Sequence, residues 1–400
     1  MNDQEFLIDG FKFAAVSAGV KKADSDRLDF ALISSETPAV TVGVTTTNLV
    51  CAAPVTLTRD RLQAGFSQAI LMNSGNANAY TGEAGISDAQ SLASILAERL
   101  GVRADLIIPM STGVIGQRLP VDRMAPRIPQ LVSSLDKSSF LKVASAIMTT
   151  DTVLKTSICE KTLSNGPLKI LGMAKGAGMI APNMATMLAV ILVDVRIERT
   201  YLHEVFSRIN NVTFNRVTVD GDTSTNDTAV VLSGGSNRSR VLLDNMSDRT
   251  IFYDALFEVC SSLAKQIVRD GEGASKLVEI KVLGAPDEPS AVKVSRRIAE
   301  SPLVKTAFHG EDPNWGRIVC AAGSAGVSFD PSNIDLWIGS VQIVKSGVLK
   351  SDDWEIRAKR VMENPEFSVL IDLKAGTSEA SIFTCDLSAD YVGINADYRS

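Results

Sequence analysis

Apolar positions along the chain switch repeatedly between a spacing of two and a spacing of three to four. That pattern predicts strands alternating with helices, a mixed α/β fold. LDFALISS (28–35) and AVTVGVTT (39–46) are β-branched runs separated by ETP, and they read as a hairpin. AILMN (69–73) is a short buried strand, and the loop SGNANAYTGEAGI follows it. A helix then opens with Ser87 as its N-cap, carries Leu92, Ile95, Leu96 and Leu100 on one face, and stops at Gly101.

LIIPMSTGVIG is a further strand passing into a glycine-containing turn, helical patterns fill about 120–148, and the polar cluster MTTDT ends them. Past the middle of the chain come a helix near 198–210, a strand TFNRVTV, and a long helix near 249–269. The face of that long helix carries Phe252, Leu256, Val259, Leu263 and Ile267, and Gly271 in DGEGAS is its expected C′ residue. KLVEIKVLG then starts a strand with Val278, Ile280 and Val282 on one side. SAVKVSRRIAES reads as a helix, LWIGSVQIV as one strand, and FSVLIDL and EASIFTCDL as a pair around the turn KAGTS. A domain boundary is expected near 275.

Composition narrows the function. At 400 residues, 45% hydrophobic and 22% charged, the chain is long enough for two or three ordinary globular domains. A net charge of -6 with no basic patch argues against nucleic acid as a partner. The opening MNDQEFLIDGFKF lacks the order of a secretory leader, and the longest apolar run (187–193) is too short to span a bilayer. The five cysteines are scattered without CxxC spacing, which predicts neither a disulfide framework nor a structural zinc site. A cytoplasmic location is the expectation.

Only two histidines occur, His203 on a helical surface and His309 in a loop, so Ser-His-Asp or His-metal chemistry has few candidates. GMAKGAG is followed by a proline and a strand, not by a helix, so it is no dinucleotide fingerprint. GEGASK lacks the spacing of a phosphate loop.

One stretch suggests different chemistry. In GMAKGAGMIAPNMATMLAVILVD (172–194), a glycine- and proline-containing approach ends at Ala185-Thr186, and an apolar run follows. The bland reading is a loop entering a sheet. The alternative is a self-cleaving bond: Thr186 Oγ attacks the residue 185 carbonyl, an ester forms, and water releases a new N-terminus. A threonine there carries its own base, the α-amine, whose unperturbed pKa is about 8. On pattern alone, both readings stand.

The wider sequence resembles one family. KGAGMIAPNMATMLAVILVD resembles the self-cleaving segment of the ornithine acetyltransferases, the glutamate N-acetyltransferases of arginine biosynthesis. NSGNANAYTG, STGVIG, MTTDT, VDGDTSTNDT, DGEGASK, GEDPNWGRI and NADYRS are similar to further blocks of that family, in the same order, from about residue 73 onward.

The resemblance implies a fold of the DmpA/ornithine-acetyltransferase type, a layered sandwich of sheets between helices plus a smaller C-terminal α/β domain. It implies an α chain of residues 1–185, a β-chain part of the sandwich at 186–275, and the smaller domain at 276–400. Cleavage falls between Ala185 and Thr186, with Thr186 as nucleophile and Thr112 and Gly113 as oxyanion hole. Substrate contacts carry over to Thr152, Lys175, Thr186, Glu272, Asn395 and Ser400.

The implied reaction moves acetyl from N2-acetyl-L-ornithine to L-glutamate without metal or cofactor, in an α2β2 assembly, with acetyl-CoA a candidate second donor. The rival readings are an N-terminal-threonine aminopeptidase or amidase, and an unprocessed binding protein that is not an enzyme. Asp220, Asp222 and Asp227 in VDGDTSTNDT suggest either a metal site or local hydrogen bonding, and the resemblance implies no metal.

Overall fold

The computed structural model describes residues 3–23, 25–181, 187–234 and 245–397. It is a mixed α/β structure of two compact units. The first comprises the chain up to Asn215 together with Asp222–Ile267, and the second comprises Arg216–Gly221 and the chain from Val268 on. The second unit thus begins in the last turn of the long helix, several residues before the expected 276, and borrows an earlier segment.

The first unit is organised on one eight-stranded sheet. In chain order its strands are β1 (Phe11–Val16), β2 (Phe30–Thr45), β3 (Phe66–Asn76), β4 (Ile107–Val114), β5 (Lys155–Leu163), β6 (Gly166–Lys175), β7 (Leu188–Val193) and β8 (Thr228–Ser233). The spatial order is β4-β3-β2-β8-β7-β6-β5, with β1 against β2. The pairs β3–β4 and β7–β8 are parallel.

Alternation explains how both faces are buried. On β2 and β3, Ala31, Ile33, Ile70 and Met72 enter one core with Phe13 and Phe140. Their neighbours Phe30, Leu32, Ala69 and Leu71 enter another with Leu92 and Leu96. Leu92 and Leu96 lie on the helix Gly82–Leu100, which starts five residues before the expected Ser87 and ends, as expected, at Gly101 with φ 69°. The helix Met246–Arg269 buries all five face residues named from its sequence. A Cβ on Gly172 of β6 would come within 2.7 Å of Val259 and 2.8 Å of Leu263, so only glycine permits this approach.

Several expectations change. ETP does not turn a hairpin: β2 runs straight through it, and the register against β3 slips between Ser34 and Ala39. Pro38 has no N–H to give a ladder, and a bulge accommodates it without ending the strand. TFNRVTV contributes a short 3-10 turn, Phe214–Arg216, and one isolated bridge from Val217 to Phe383 rather than a strand. Gly271 caps the long helix only through its N–H to the Val268 carbonyl, and the left-handed residue is Gly273, with φ 67°. LWIGSVQIV is two strands, because Gly339 takes φ 54° and turns the chain.

The second unit has its own six-stranded sheet. Its strands are β9 (Leu277–Ala285), β10 (Asp335–Ile338), β11 (Val341–Lys345), β12 (Val348–Leu349), β13 (Glu366–Asp372) and β14 (Ser378–Cys385), in the order β12-β11-β10-β13-β9-β14. β13 and β14 do not pair with each other but flank β9, one parallel and one antiparallel. Val278, Ile280 and Val282 face a core shared with Ala291, Val294 and Ile298 of the helix Glu288–Ala299. DPNWGR acquires a structural role here: Asn314 caps the helix Trp315–Gly323 by accepting the Arg317 N–H at 3.2 Å.

Candidate active site

The parallel pair β3–β4 ends in STG, the turn singled out from sequence. Gly113 has φ 132°, and a Cβ there would sit 2.3 Å from the Gly75 carbonyl carbon. Glycine is therefore required by both torsion and space. Thr112, 7% exposed, lies opposite Ser74 and Asn76, where the β3–β4 register breaks.

Lys175 ends β6 and is 4% exposed. Its Nζ donates to Thr112 Oγ1 at 3.3 Å and to Thr149 Oγ1 at 2.7 Å. An ammonium has no lone pair, so both hydroxyls must act as acceptors toward it. Each keeps its own proton for another acceptor. This arrangement primes Thr112 to donate.

The charge of Lys175 is balanced by Asp151, whose Oδ2 is 3.8 Å from Nζ and whose side chain is fully buried. Asp151 Oδ1 also accepts from Lys155 Nζ at 2.7 Å and from the Gly176 N–H at 2.6 Å. Oδ2 accepts the Thr149 N–H at 2.9 Å. Burial alone pushes this carboxyl up, but Lys175 and Lys155 outweigh it and hold it below the ordinary carboxylate range. Thr149 and Asp151 were not among the sequence candidates. Their signal was the MTTDT block itself, in which Thr152 was chosen; Thr152 is exposed, one residue past Asp151.

VDGDTSTNDT, without a role on sequence grounds, ties the strand ends together. Asn226 Nδ2 donates to the Ala77 carbonyl at 2.6 Å and to the Ser111 carbonyl at 2.8 Å, beside Thr112. The Ser224 carbonyl receives the Thr46 hydroxyl at 2.7 Å, and the Thr225 carbonyl receives the Ala52 N–H at 3.0 Å. Asp227 Oδ1 accepts the Met187 N–H at 2.8 Å. Asn226 and Asp227 thus hold backbone groups of neighbouring strand ends.

Glu272 and Asn395 belong to the second unit and meet there: Asn395 Nδ2 donates to Glu272 Oε2 at 2.7 Å. Gly273 allows this, because a Cβ on it would lie 2.6 Å from the Tyr391 nitrogen. Ala185, Thr186 and Ser400 lie outside the described residues.

His203 is exposed on the helix Arg199–Val212. His309 Nδ1 pairs with Asp386 Oδ2 at 2.8 Å, and the Ser275 hydroxyl donates to the same oxygen at 2.7 Å.

Among the described residues no helix is long and apolar enough to cross a membrane. Two relatives are each named arginine biosynthesis bifunctional protein ArgJ. The one from Geobacter sulfurreducens is 46% identical over 393 residues, 98% of this chain and 100% of its own. The one from Desulfotalea psychrophila is 47% identical over 393 residues, with the same coverage. A solved structure of the ArgJ protein from Bacillus halodurans is 42% identical and covers 51% of this chain and 96% of its own, with a TM-score of 0.49. The family model described as ArgJ family matches residues 12–400, nearly the whole chain, and this chain belongs to that family.

Proposed function

We propose that this chain is a self-processing N-acetyltransferase of arginine biosynthesis that moves acetyl from N2-acetyl-L-ornithine to L-glutamate. Membership of the ArgJ family supports the reaction. The observation that carries the mechanism is the Lys175 ammonium bonded to the Thr112 hydroxyl, which leaves the Thr112 proton for an incoming oxyanion.

Cleavage between Ala185 and Thr186 frees the Thr186 α-amine. In the first half-reaction Thr186 Oγ adds to the acetyl carbon and its proton passes to that amine. The oxyanion takes hydrogen bonds from the Thr112 hydroxyl and the Gly113 N–H. The C–N bond breaks, ornithine leaves with the proton on its α-nitrogen, and acetyl-Thr186 remains. Glutamate then attacks the ester by the reverse sequence. One amide is exchanged for a similar one, so neither ATP nor a redox cofactor is required, and acetyl-CoA is a candidate alternative donor.

Glu272 and Asn395, with Thr152 and Ser400, serve as substrate contacts in this reading. The α and β chains stay joined after cleavage. β6, before the cut, and β7, after it, pair from Ile170–Val193 to Lys175–Leu188, and β2 pairs with β8. Two such pairs form an α2β2 assembly in the cytoplasm.

The test combines intact mass and N-terminal sequencing with a product assay. Two fragments, the larger beginning Thr-Met-Leu-Ala-Val, and acetylglutamate formed from acetylornithine are expected. Free acetate released at the same rate without glutamate would make the enzyme an amidase. A single intact chain would make it a binding protein.

A further inference from the structure

β4 lies at the end of the eight-stranded sheet and, among the described residues, pairs with β3 alone. In a parallel pair, alternate residues turn their backbone groups toward the partner strand and away from it. The alternate carbonyls of Ile107, Pro109 and Ser111 are each taken by a side chain. Arg61 donates to the first, Thr58 to the second at 2.9 Å, and Asn226 to the third at 2.8 Å. Pro109 has no N–H to leave bare on this open side. Arg61 and Thr58 both stand on the helix Ala53–Ala64, whereas Asn226 belongs to the loop before β8, which is separated from β4 by β3 and β2.

The Asn226 carboxamide is fully used. Its Oδ1 accepts the Thr225 hydroxyl at 2.6 Å, which fixes the orientation of the amide. Both N–H groups are then spent, one on the Ala77 carbonyl at 2.6 Å and the other on the Ser111 carbonyl. An aspartate here would set an anion against two carbonyls, and an apolar residue would leave both without a donor. The loop has other anchors besides this amide. The Thr225 carbonyl receives the Ala52 N–H at 3.0 Å, and the Asp227 carbonyl receives the Thr46 N–H at 2.9 Å. What the amide adds is a tie from this loop to the residue before Thr112.

That tie falls where the sheet is least able to hold β4 by itself, because the β3–β4 register shifts between Gly75 and Asn76. The Ser111 side chain is held as well, its hydroxyl donating to Asn73 Oδ1 at 2.7 Å. Thr112 is therefore gripped on two sides. Lys175 holds its hydroxyl at 3.3 Å, and Asn226 holds the carbonyl of the peptide that leads into it.

Resting on the reading of Thr112 as an oxyanion donor, we propose that Asn226 is a positioning residue for acetyl transfer: by holding the Ser111 carbonyl it sets where Thr112 presents its proton. Asn226 acts in this role only through Thr112. A misplacement of about 1 Å in a group that must meet a developing charge costs on the order of 10²-fold in rate.

A double-mutant cycle on the mature enzyme separates this role from plain support of the fold. Turnover is counted per Thr186 site that acetylates, measured by the mass of the acetyl-enzyme. Asn226→Ala should lower kcat per site by about 10²-fold and leave KM for acetylornithine near its wild-type value. In a Thr112→Ala background the same change should cost no more than about threefold, because the hydroxyl it positions is already gone. A tie that only supports the fold would lower the melting midpoint and the number of active sites, not the turnover of each.

Normal kcat per site, or a further loss of about 10²-fold on top of Thr112→Ala, overturns the proposal and leaves the acetyl-transfer reading standing. Full activity in Thr112→Ala overturns the oxyanion reading and this proposal together. Should Asn226→Ala fail to fold or mature, Asn226→Gln carries the same cycle with a smaller loss expected, since it keeps both N–H groups on a longer arm. If that variant is also unfolded or uncleaved, Asn226 serves folding or maturation instead, and the proposal falls.

Discussion

Lys175 Nζ stands 3.3 Å from Thr112 Oγ1 and 2.7 Å from Thr149 Oγ1, and it can only donate to both. Thr112 thereby accepts from Lys175 and keeps its own proton to give, which is the property an oxyanion donor needs. Replacing Thr112 by Ala should lower turnover by roughly 10²–10³-fold, the loss of one such donor, with little change in KM. Thr112→Ser should recover most of the activity because the hydroxyl returns. Steady-state kinetics with acetylornithine provide the check. Normal turnover with weakened binding in the Ala variant would assign Thr112 to substrate recognition instead.

Asp151 is expected to matter for stability as much as for catalysis. It is fully buried between two lysines, so Asp151→Asn leaves two ammonium groups without their counter-charge. Removing one partner of a buried pair costs about 3–5 kcal/mol, enough to lower the melting midpoint clearly. The pH dependence follows from the sign of the shift. The folded-state pKa lies below the unfolded one, so the stabilisation is complete above the unfolded value near ~4 and is lost as pH falls below it. Melting curves across the acidic range should show the wild type losing stability where the Asn variant changes less. Parallel curves for the two proteins would remove Asp151 from the acid response.

How much of this was legible beforehand depends on the kind of interaction. Local periodicity located the helix Met246–Arg269 and its five buried face residues, since each lies on a 3.6-residue stripe. It failed at ETP, where the pairing of β2 with β3 and β8 outweighs a proline that looks like a turn. Thr112, Gly113 and Lys175 were identified through family resemblance, and the structure joins Lys175 to Thr112. Asp151 and Asn226 escaped because no local pattern displays what they bind. Asn226 holds the Ala77 and Ser111 carbonyls, more than a hundred residues away, and no window of sequence contains that contact.

Gly113 should tolerate no side chain. Its φ of 132° is disfavoured for any L-residue, and a Cβ would overlap the Gly75 and Asn76 backbone at 2.3–2.5 Å. Backbone atoms cannot rotate away as a side-chain tip can. Gly113→Ala should therefore displace the turn, lowering turnover at least as far as Thr112→Ala and reducing the melting midpoint. A variant with wild-type melting and full activity would show that the β3–β4 ends part easily and that the oxyanion hole does not depend on this turn.

The identity of the general base is open to a pH–rate test. If the Thr186 α-amine is the base, kcat/KM should rise with pH through a single ionisation, that of an amine whose unperturbed pKa is about 8. The two histidines are the obvious alternative bases, and both have other surroundings. His203 is solvent-exposed on its helix, and His309 is held by Asp386, which also ties down Ser275. Replacing both with Gln should leave the acidic limb of the profile in place, and the amide that takes the place of His309 can still donate to Asp386. Loss of that limb in the double variant would make a histidine the base. The acetyl transfer would survive such a result, but the amine would no longer be the group that activates Thr186.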